Sequence, residues 1–153
     1  MPSIFSIVYQ PKHKKYTAGH FADFIRDPLN EANLIANHGI EGDAKAGKQP
    51  SRQLNILSLE WLQKLENQGF KTGPGEFGEQ IIIQDLDVDA LDQGERLQIG
   101  QQALVEITGP RHACSRLEAA QGLSNDIFGA IAGRMAKVIT SGTIKVGDEV
   151  KLV

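Results

Sequence analysis

Short apolar runs separated by glycine-containing turns occupy most of the chain. Residues 103, 105 and 107 are apolar and face one side, while Glu106 and Thr108 face the other, as in a strand that is buried on one face; Leu104 interrupts the strict alternation. Because such runs outnumber helical patterns, the predicted fold class is mainly β with two or three short helices. The pattern predicts strands over residues 4–9, 34–36, 54–57, 80–83, 96–99, 102–108, 135–140, 143–145 and 149–152.

The first helix is predicted to begin after Ser58. A serine hydroxyl can accept a hydrogen bond from the free amides of a first helical turn. Leu59, Leu62 and Leu65 follow at helical spacing, and Gly69 is a typical residue just beyond a helix end.

A second helix is predicted around the only cysteine. Ser115 and Glu118 match the S-x-x-E capping box, which makes Ser115 the expected N-cap of a helix reaching about Ala120. Cys114 would then lie just outside this helix. Gly109-Pro110 is expected to end the preceding strand.

Residues 11–32 show no clean periodicity and carry several basic residues, Arg26 among them. We interpret this segment as a long excursion from the fold. The chain of 153 residues has no internal repeat and is expected to form one domain, 1–153.

Composition narrows the class of protein. Hydrophobic residues make up 41% and charged residues 23% of the chain, close to the average for globular domains. The net charge of −3 argues against a general nucleic-acid binder, which would present a broad basic face. No apolar run approaches the roughly 18 residues of a membrane span. With one cysteine and no signal peptide, the expected location is the cytoplasm.

Cys114 is the main candidate for chemistry. Arg111, His112 and Arg116 surround it, and cationic neighbours favour the thiolate form of a cysteine. A thiolate can attack sulfur, carry a persulfide or bind a soft metal. The alternative is that Cys114 is a small buried hydrophobic residue, which is common for lone cysteines.

A glycine-rich segment over residues 39–47 is a candidate anion site. Closely spaced glycines such as Gly42 let backbone amides approach a ligand, and Lys45 and Arg52 could pair with phosphate. Asp43 lies in the same loop. The alternative is an ordinary turn with basic residues on the surface, and on spacing alone this alternative is favoured.

A second glycine-rich segment spans residues 73–80. Its backbone could line a pocket, with Glu76 or Glu79 as hydrogen-bond acceptors, or it could be a tight connection between a helix and a strand. The four histidines, at positions 13, 20, 38 and 112, lack zinc-binding spacing, which argues against a zinc site.

These segments together resemble the molybdenum cofactor sulfurase C-terminal (MOSC) domain family, in particular its compact stand-alone bacterial members. The resemblance covers residue 34 to the C-terminus. It rests on GIEGDAKAG with RQLNILSLE, on PGEFGEQIII, on LDQGERLQIGQQALVEITGPRHAC and on GAIAGRMAKVITSGTIKVGDEVKLV, in this order.

The resemblance implies a β-barrel similar to the barrel domain of pyruvate kinase. It also implies that Cys114 either binds the molybdenum of a molybdenum cofactor (molybdopterin) or carries a persulfide. Arg111, with Arg52 and Lys45, would hold the pterin phosphate or another anion, and Asp43 would shape the Gly42 loop.

Three functions remain open on this resemblance. The leading one is a molybdenum-cofactor-binding protein or oxidoreductase component that acts on N-hydroxylated or similar N-oxygenated compounds. The alternatives are a sulfur carrier that uses a Cys114 persulfide and a non-catalytic module that delivers the cofactor. One cysteine can hold no iron–sulfur cluster of its own, and the chain lacks a pyridoxal-phosphate lysine context. Activity would therefore need a redox partner or a separate, pyridoxal-phosphate-dependent cysteine desulfurase.

Overall fold

The computed structural model describes residues 1–12 and 26–153, and these residues form a mainly β fold, which confirms the predicted class. The predictions that fall on residues 13–25, including most of the excursion and two of the histidines, lie outside the described residues. The strands are β1 (Ser3–Tyr9), β2 (Asp27–Leu29), β3 (Glu31–Ile35), β4 (Gly39–Ile40), β5 (Leu54–Ser58), β6 (Ile81–Gln84), β7 (Arg96–Ile99), β8 (Ala103–His112), β9 (Ile131–Thr140), β10 (Gly142–Lys145) and β11 (Val150–Leu152). The helices are α1 (Leu59–Glu66) and α2 (Ser115–Gln121), and Val88–Ala90 and Asn125–Phe128 form 3-10 turns.

Eight strands pair in the order β11-β7-β8-β9-β5-β6-β1-β2, and β10, β3 and β4 form a second sheet. In the part of the chain that the structure describes, strand pairing does not close the eight-stranded sheet into a barrel. Backbone hydrogen bonds nevertheless connect β1 with the chain that leads into β11. The Ile4 amide donates to the Asp148 carbonyl at 2.9 Å, and the Gly147 amide donates to the Ile4 carbonyl at 2.9 Å. The sheet therefore curves around its core without being a continuous cylinder.

Strand β8 continues beyond the point where the sequence predicted its end. Gly109 and Pro110 lie within β8 rather than stopping it, and the prediction was wrong there. The register with β9 shifts between Ile107 and Gly109 and again after Pro110. Such irregularities accommodate a proline that has no amide to donate. The inward-facing alternation therefore runs on to Arg111.

Two hydrophobic cores lie on the two sides of the main sheet. One consists of aliphatic side chains from strands of both sheets. The other packs α1 and α2 against the sheet, and Phe77, which is fully buried, lies at its centre. Aromatic rings in this second core meet in edge-to-face and tilted contacts, which add to the stabilisation from apolar burial. The aromatic rings in contact are Trp61, Phe70, Phe77 and Phe128.

Ser58 is the N-cap residue of α1, as predicted, but its hydroxyl does not cap the helix. The Ser58 hydroxyl donates to the Leu86 carbonyl at 2.7 Å and accepts from the Val88 amide at 2.8 Å. The side chain therefore fastens a distant segment to the start of α1.

The N-cap position predicted for α2 was wrong by one residue, and the predicted capping box does not form. Cys114, and not Ser115, is the N-cap, and its side chain makes no capping hydrogen bond. The Glu118 carboxylate instead accepts from the Asn125 amide at 2.9 Å, because the following 3-10 turn folds back over α2. The Asn125 side chain also donates to the Cys114 carbonyl at 3.0 Å. The backbone of Cys114 is thus held by a contact from outside its own helix.

None of the helices in residues 1–12 and 26–153 has the length and apolar character needed to cross a membrane.

Candidate functional site

A cavity of about 270 Å³ opens beside the end of β8. Cys114 lines it, and its other lining residues include six lysines and arginines but no aspartate or glutamate from the described residues. We refer to it as the cationic cavity. The basic residues are Arg26, Lys45, Lys48, Arg52, Arg111 and Arg116.

The fold brings four of the predicted site residues together. Cys114 and Arg111 come from the end of β8 and the start of α2, whereas Lys45 and Arg52 come from the loop before β5. Cys114 is exposed rather than buried among aliphatic side chains. His112, which the sequence placed among the cationic neighbours, is exposed and does not line the cavity.

Asp43 and Gly42 do not line the cavity. Asp43 is completely buried. Its carboxylate accepts from the amides of Gln10 at 3.1 Å and Lys45 at 3.2 Å, and from the Gln80 side chain at 3.3 Å. Asp43 therefore joins the residue after β1, the residue before β6 and the Lys45 loop.

Arg111 is the most buried cation of the cavity, with 2% of its surface exposed. Its Nη1 donates to the Phe77 carbonyl, whereas its Nε has no hydrogen-bond partner in the described part of the chain. Burial, reinforced by repulsion from Arg52, lowers the pKa of Arg111 to about 10, and Glu79 and Cys114 partly oppose the shift. Arg111 therefore stays protonated near neutral pH and holds an unused donor.

Glu79 is a completely buried carboxyl group that interacts electrostatically with Arg111. Its carboxylate accepts from the Gly75 amide at 2.6 Å and the Phe77 amide at 3.1 Å. Complete burial raises the pKa of Glu79, whereas these amides and Arg111 lower it. The 73–80 loop is thus organised around one carboxylate, while the Glu76 side chain accepts from the Gly73 amide within its own turn.

The cations of the cavity repel one another. Burial lowers the pKa of Lys45, and Arg26 and Lys48 lower it further. Within residues 1–12 and 26–153, neither Lys45, Arg52 nor Arg111 forms an ion pair with a carboxylate. An anion in the cavity would relieve this repulsion and would meet donors suited to phosphate-like groups.

Sequence reasoning did not place Arg26 and Lys48 in the site. Arg26 belongs to the segment without periodicity, yet it lies beside Gly75 and donates to the Gln10 side chain at 3.3 Å. Lys48 directly follows the glycine-rich segment 39–47, and this position in the sequence could have indicated that it belongs to the site. Arg116 was noted only as a basic neighbour of Cys114.

The fold and this site define the class of protein. Residues 43–151 match the model of the MOSC domain, so the chain belongs to the MOSC domain family. This family is associated with binding of the molybdenum cofactor.

Solved structures agree with the family assignment. The chain resembles YiiM from Geobacillus stearothermophilus with a TM-score of 0.74 and 22% identity, covering 100% of this chain and 75% of that one. YiiM from Escherichia coli gives a TM-score of 0.66 and 22% identity, with 99% and 69% covered. The YUAD protein from Bacillus subtilis gives a TM-score of 0.71 and 18% identity, covering 98% of this chain and 94% of that one. At these identities the likeness concerns the fold alone. No curated protein matches the chain in sequence.

Proposed function

We propose that the protein binds the molybdenum cofactor in the cationic cavity, with Cys114 as the protein ligand of the molybdenum. The observation that carries this proposal is that one exposed thiol and six basic side chains line the same cavity. The protein would act in the cytoplasm as an oxidoreductase component for N-hydroxylated or similar N-oxygenated compounds, as the family resemblance implies.

The residues of the cavity fit such a ligand. The buried Nε of Arg111 lacks a partner within the described residues and would gain one from a phosphate oxygen. A thiolate is the type of ligand that soft metals take, and Cys114 is accessible at the same cavity. The cavity volume of about 270 Å³ lies just below the roughly 300–1,000 Å³ typical of ligand pockets.

Each part of the chain would have a distinct task. Arg111, Arg52 and Lys45 would hold the phosphate end of the ligand, and Cys114 would hold the metal end. Asp43 keeps the Lys45 loop in place through its three hydrogen bonds. The cofactor supplies the redox chemistry when bound, and a separate redox partner would supply electrons, since a single cysteine holds no iron–sulfur cluster.

Replacing Arg52 with glutamine should weaken binding of the isolated cofactor about tenfold. One exposed charge-assisted contact to phosphate is worth on the order of 1.4 kcal/mol, which is a factor of ten in Kd. Equilibrium binding measured by the fluorescence of the pterin tests this prediction. Lys64→Gln, on the exposed face of α1 and outside the cationic cavity, is the matched control and should bind normally. Equal affinity in the two variants would remove Arg52 from the site.

The exposure of Cys114 also favours the second candidate function, a sulfur carrier. An exposed thiol can be reached by the active site of a partner cysteine desulfurase. Incubation with such an enzyme and cysteine should add one sulfur atom to the chain, visible in the intact mass and removed by a reductant. Cys114→Ser should remain unmodified, and a chain that gains no sulfur would argue against this candidate.

A further inference from the structure

We propose that the cationic cavity also accepts a small dianion bearing sulfane sulfur, with thiosulfate as the type, and that Cys114 removes the sulfane sulfur from it. The proposal deepens the sulfur-carrier candidate by naming a small-molecule donor. It rests on that function of Cys114 and on the charge of the cavity, and it does not depend on bound molybdenum.

The charges and size of the cavity select this class of donor. Thiosulfate carries two negative charges on a compact tetrahedral group, and guanidinium groups present the forked donors that such oxyanions bind. The cavity of about 270 Å³ has no carboxylate among its described lining residues, so a dianion meets attraction without opposing charge. This distinguishes it from a pocket for neutral thiol donors such as cysteine.

Arg111 is the second, independent indication of a ligand. It is almost completely buried, lines the cavity and keeps an Nε without a partner in the described part of the chain. A buried donor of this kind costs free energy unless a ligand or water satisfies it. Its guanidinium is held in place by the Phe77 carbonyl, so the open donor position does not depend on a mobile side chain.

Cys114 is placed to react with an anion bound there. It lines the same cavity as Arg111 and the other basic side chains, so an anion held by them lies next to the Cys114 side chain. The Asn125 side chain and the Leu117 amide both donate to the Cys114 carbonyl, at 3.0 and 3.1 Å. The backbone at Cys114 is therefore fixed while its side chain stays accessible.

The reaction balances without an external oxidant. The Cys114 thiolate, whose proton has gone to solvent, attacks the outer sulfur of thiosulfate and forms a sulfur–sulfur bond. The sulfur–sulfur bond of thiosulfate breaks, and its electron pair leaves with sulfite, while Cys114 holds a persulfide. A thiophilic nucleophile then attacks the terminal persulfide sulfur and restores the thiolate. With cyanide as the nucleophile, the products are thiocyanate and sulfite.

The test uses the full chain purified from a host that makes no molybdenum cofactor. With thiosulfate alone, we expect the intact mass to rise by one sulfur atom and an equal amount of sulfite to be released. Sulfate, which has the same charge but no sulfane sulfur, should leave the mass unchanged. With thiosulfate and cyanide, thiocyanate should form catalytically, and Cys114→Ser should reduce this rate to the background level.

The KM for thiosulfate separates the contribution of the cationic cavity to binding from the chemical role of Cys114. Arg52→Gln should raise the KM for thiosulfate about tenfold with a smaller effect on kcat, whereas Lys64→Gln should match the wild type. No sulfite release by the wild type, turnover that persists in Cys114→Ser, or an unchanged KM in Arg52→Gln would each overturn the proposal. The thiosulfate test uses protein without cofactor, so a negative result in it does not bear on the proposal that the protein binds the molybdenum cofactor. In the same way, a protein that retains no molybdenum could still react with thiosulfate.

Discussion

Replacing Arg111 with methionine should lower the free energy of unfolding by about 3 kcal/mol and remove most of the affinity for anions. Arg111 and Glu79 are both buried, with 2% and 0% of their surfaces exposed. The two groups form no direct ion pair, but the charge of Arg111 lowers the pKa of Glu79. Removing Arg111 leaves the buried Glu79 side chain without this compensation, which we expect to cost about 3 kcal/mol, the lower end of the range for close buried pairs. The variant also loses the hydrogen bond to the Phe77 carbonyl. Denaturant unfolding and thiosulfate or pterin binding measure the two effects.

The double variant Arg111→Met/Glu79→Gln is the control for this explanation. If the cost in Arg111→Met comes from a stranded carboxylate, the double variant should be more stable than the sum of the two single changes predicts. Strictly additive losses would show that Arg111 and Glu79 do not act as a pair.

The stability deficit of Arg111→Met should shrink as the pH falls. Burial already raises the pKa of Glu79 above its ordinary 4.5, and loss of Arg111 removes an influence that lowers it. For a carboxyl group whose pKa is higher in the folded state, the folded protein binds more protons than the unfolded chain between the two pKa values. Stability therefore rises as the pH falls from the folded pKa of Glu79 toward 4.5. A deficit that is constant over this window would contradict the account.

Replacing Gly133 with alanine should cost about 4 kcal/mol of unfolding free energy. Gly133 lies in β9 at a φ of +76°, where a Cβ would overlap the Ile56 carbonyl and the Leu57 side chain in β5. The left-handed conformation costs an alanine roughly 1–2 kcal/mol, and the overlap forces β5 and β9 apart in addition. Because β5 also contributes Leu54 and Asn55 to the cavity wall, anion binding should weaken too.

Gly129→Ala is the matched control for Gly133→Ala. Gly129 has a similar φ of +79°, but a Cβ there would meet nothing within 4 Å. Gly129→Ala should lose only the free energy needed to place an alanine in this left-handed conformation, about 1 kcal/mol. Denaturant unfolding of both variants isolates the steric contribution, and equal losses would show that the approach of β9 to β5 is not tight.

Most of the strand pattern was predictable because burial in strands follows local alternation, but β2 and the start of β3 lie in the segment that was interpreted as an excursion. The β7–β8 hairpin was found where the sequence placed it, with Ile99 opposite Ala103. The same alternation would have indicated an inward-facing Arg111, had Gly109-Pro110 not been interpreted as a strand end. A bulge that accommodates proline depends on the register with β9, and a local pattern does not contain that register.

The cationic cavity was predictable only in part. The resemblance to the MOSC family pointed to Cys114, Arg111, Arg52 and Lys45, whose convergence local spacing could not show. Arg26 lies far from them in sequence, and its place depends on the close approach to Gly75. The shift of the α2 N-cap to Cys114 also has a tertiary cause, since Asn125 takes the carboxylate that would have completed the capping box.

The most direct test of the account is the molybdenum content per chain after purification from a host that makes the cofactor. Wild-type protein should carry close to stoichiometric molybdenum, and Cys114→Ser, with an unchanged circular dichroism spectrum, should carry almost none. Equal molybdenum in the two proteins would show that Cys114 does not bind the metal. Absence of molybdenum from the wild-type protein would contradict the proposed function itself.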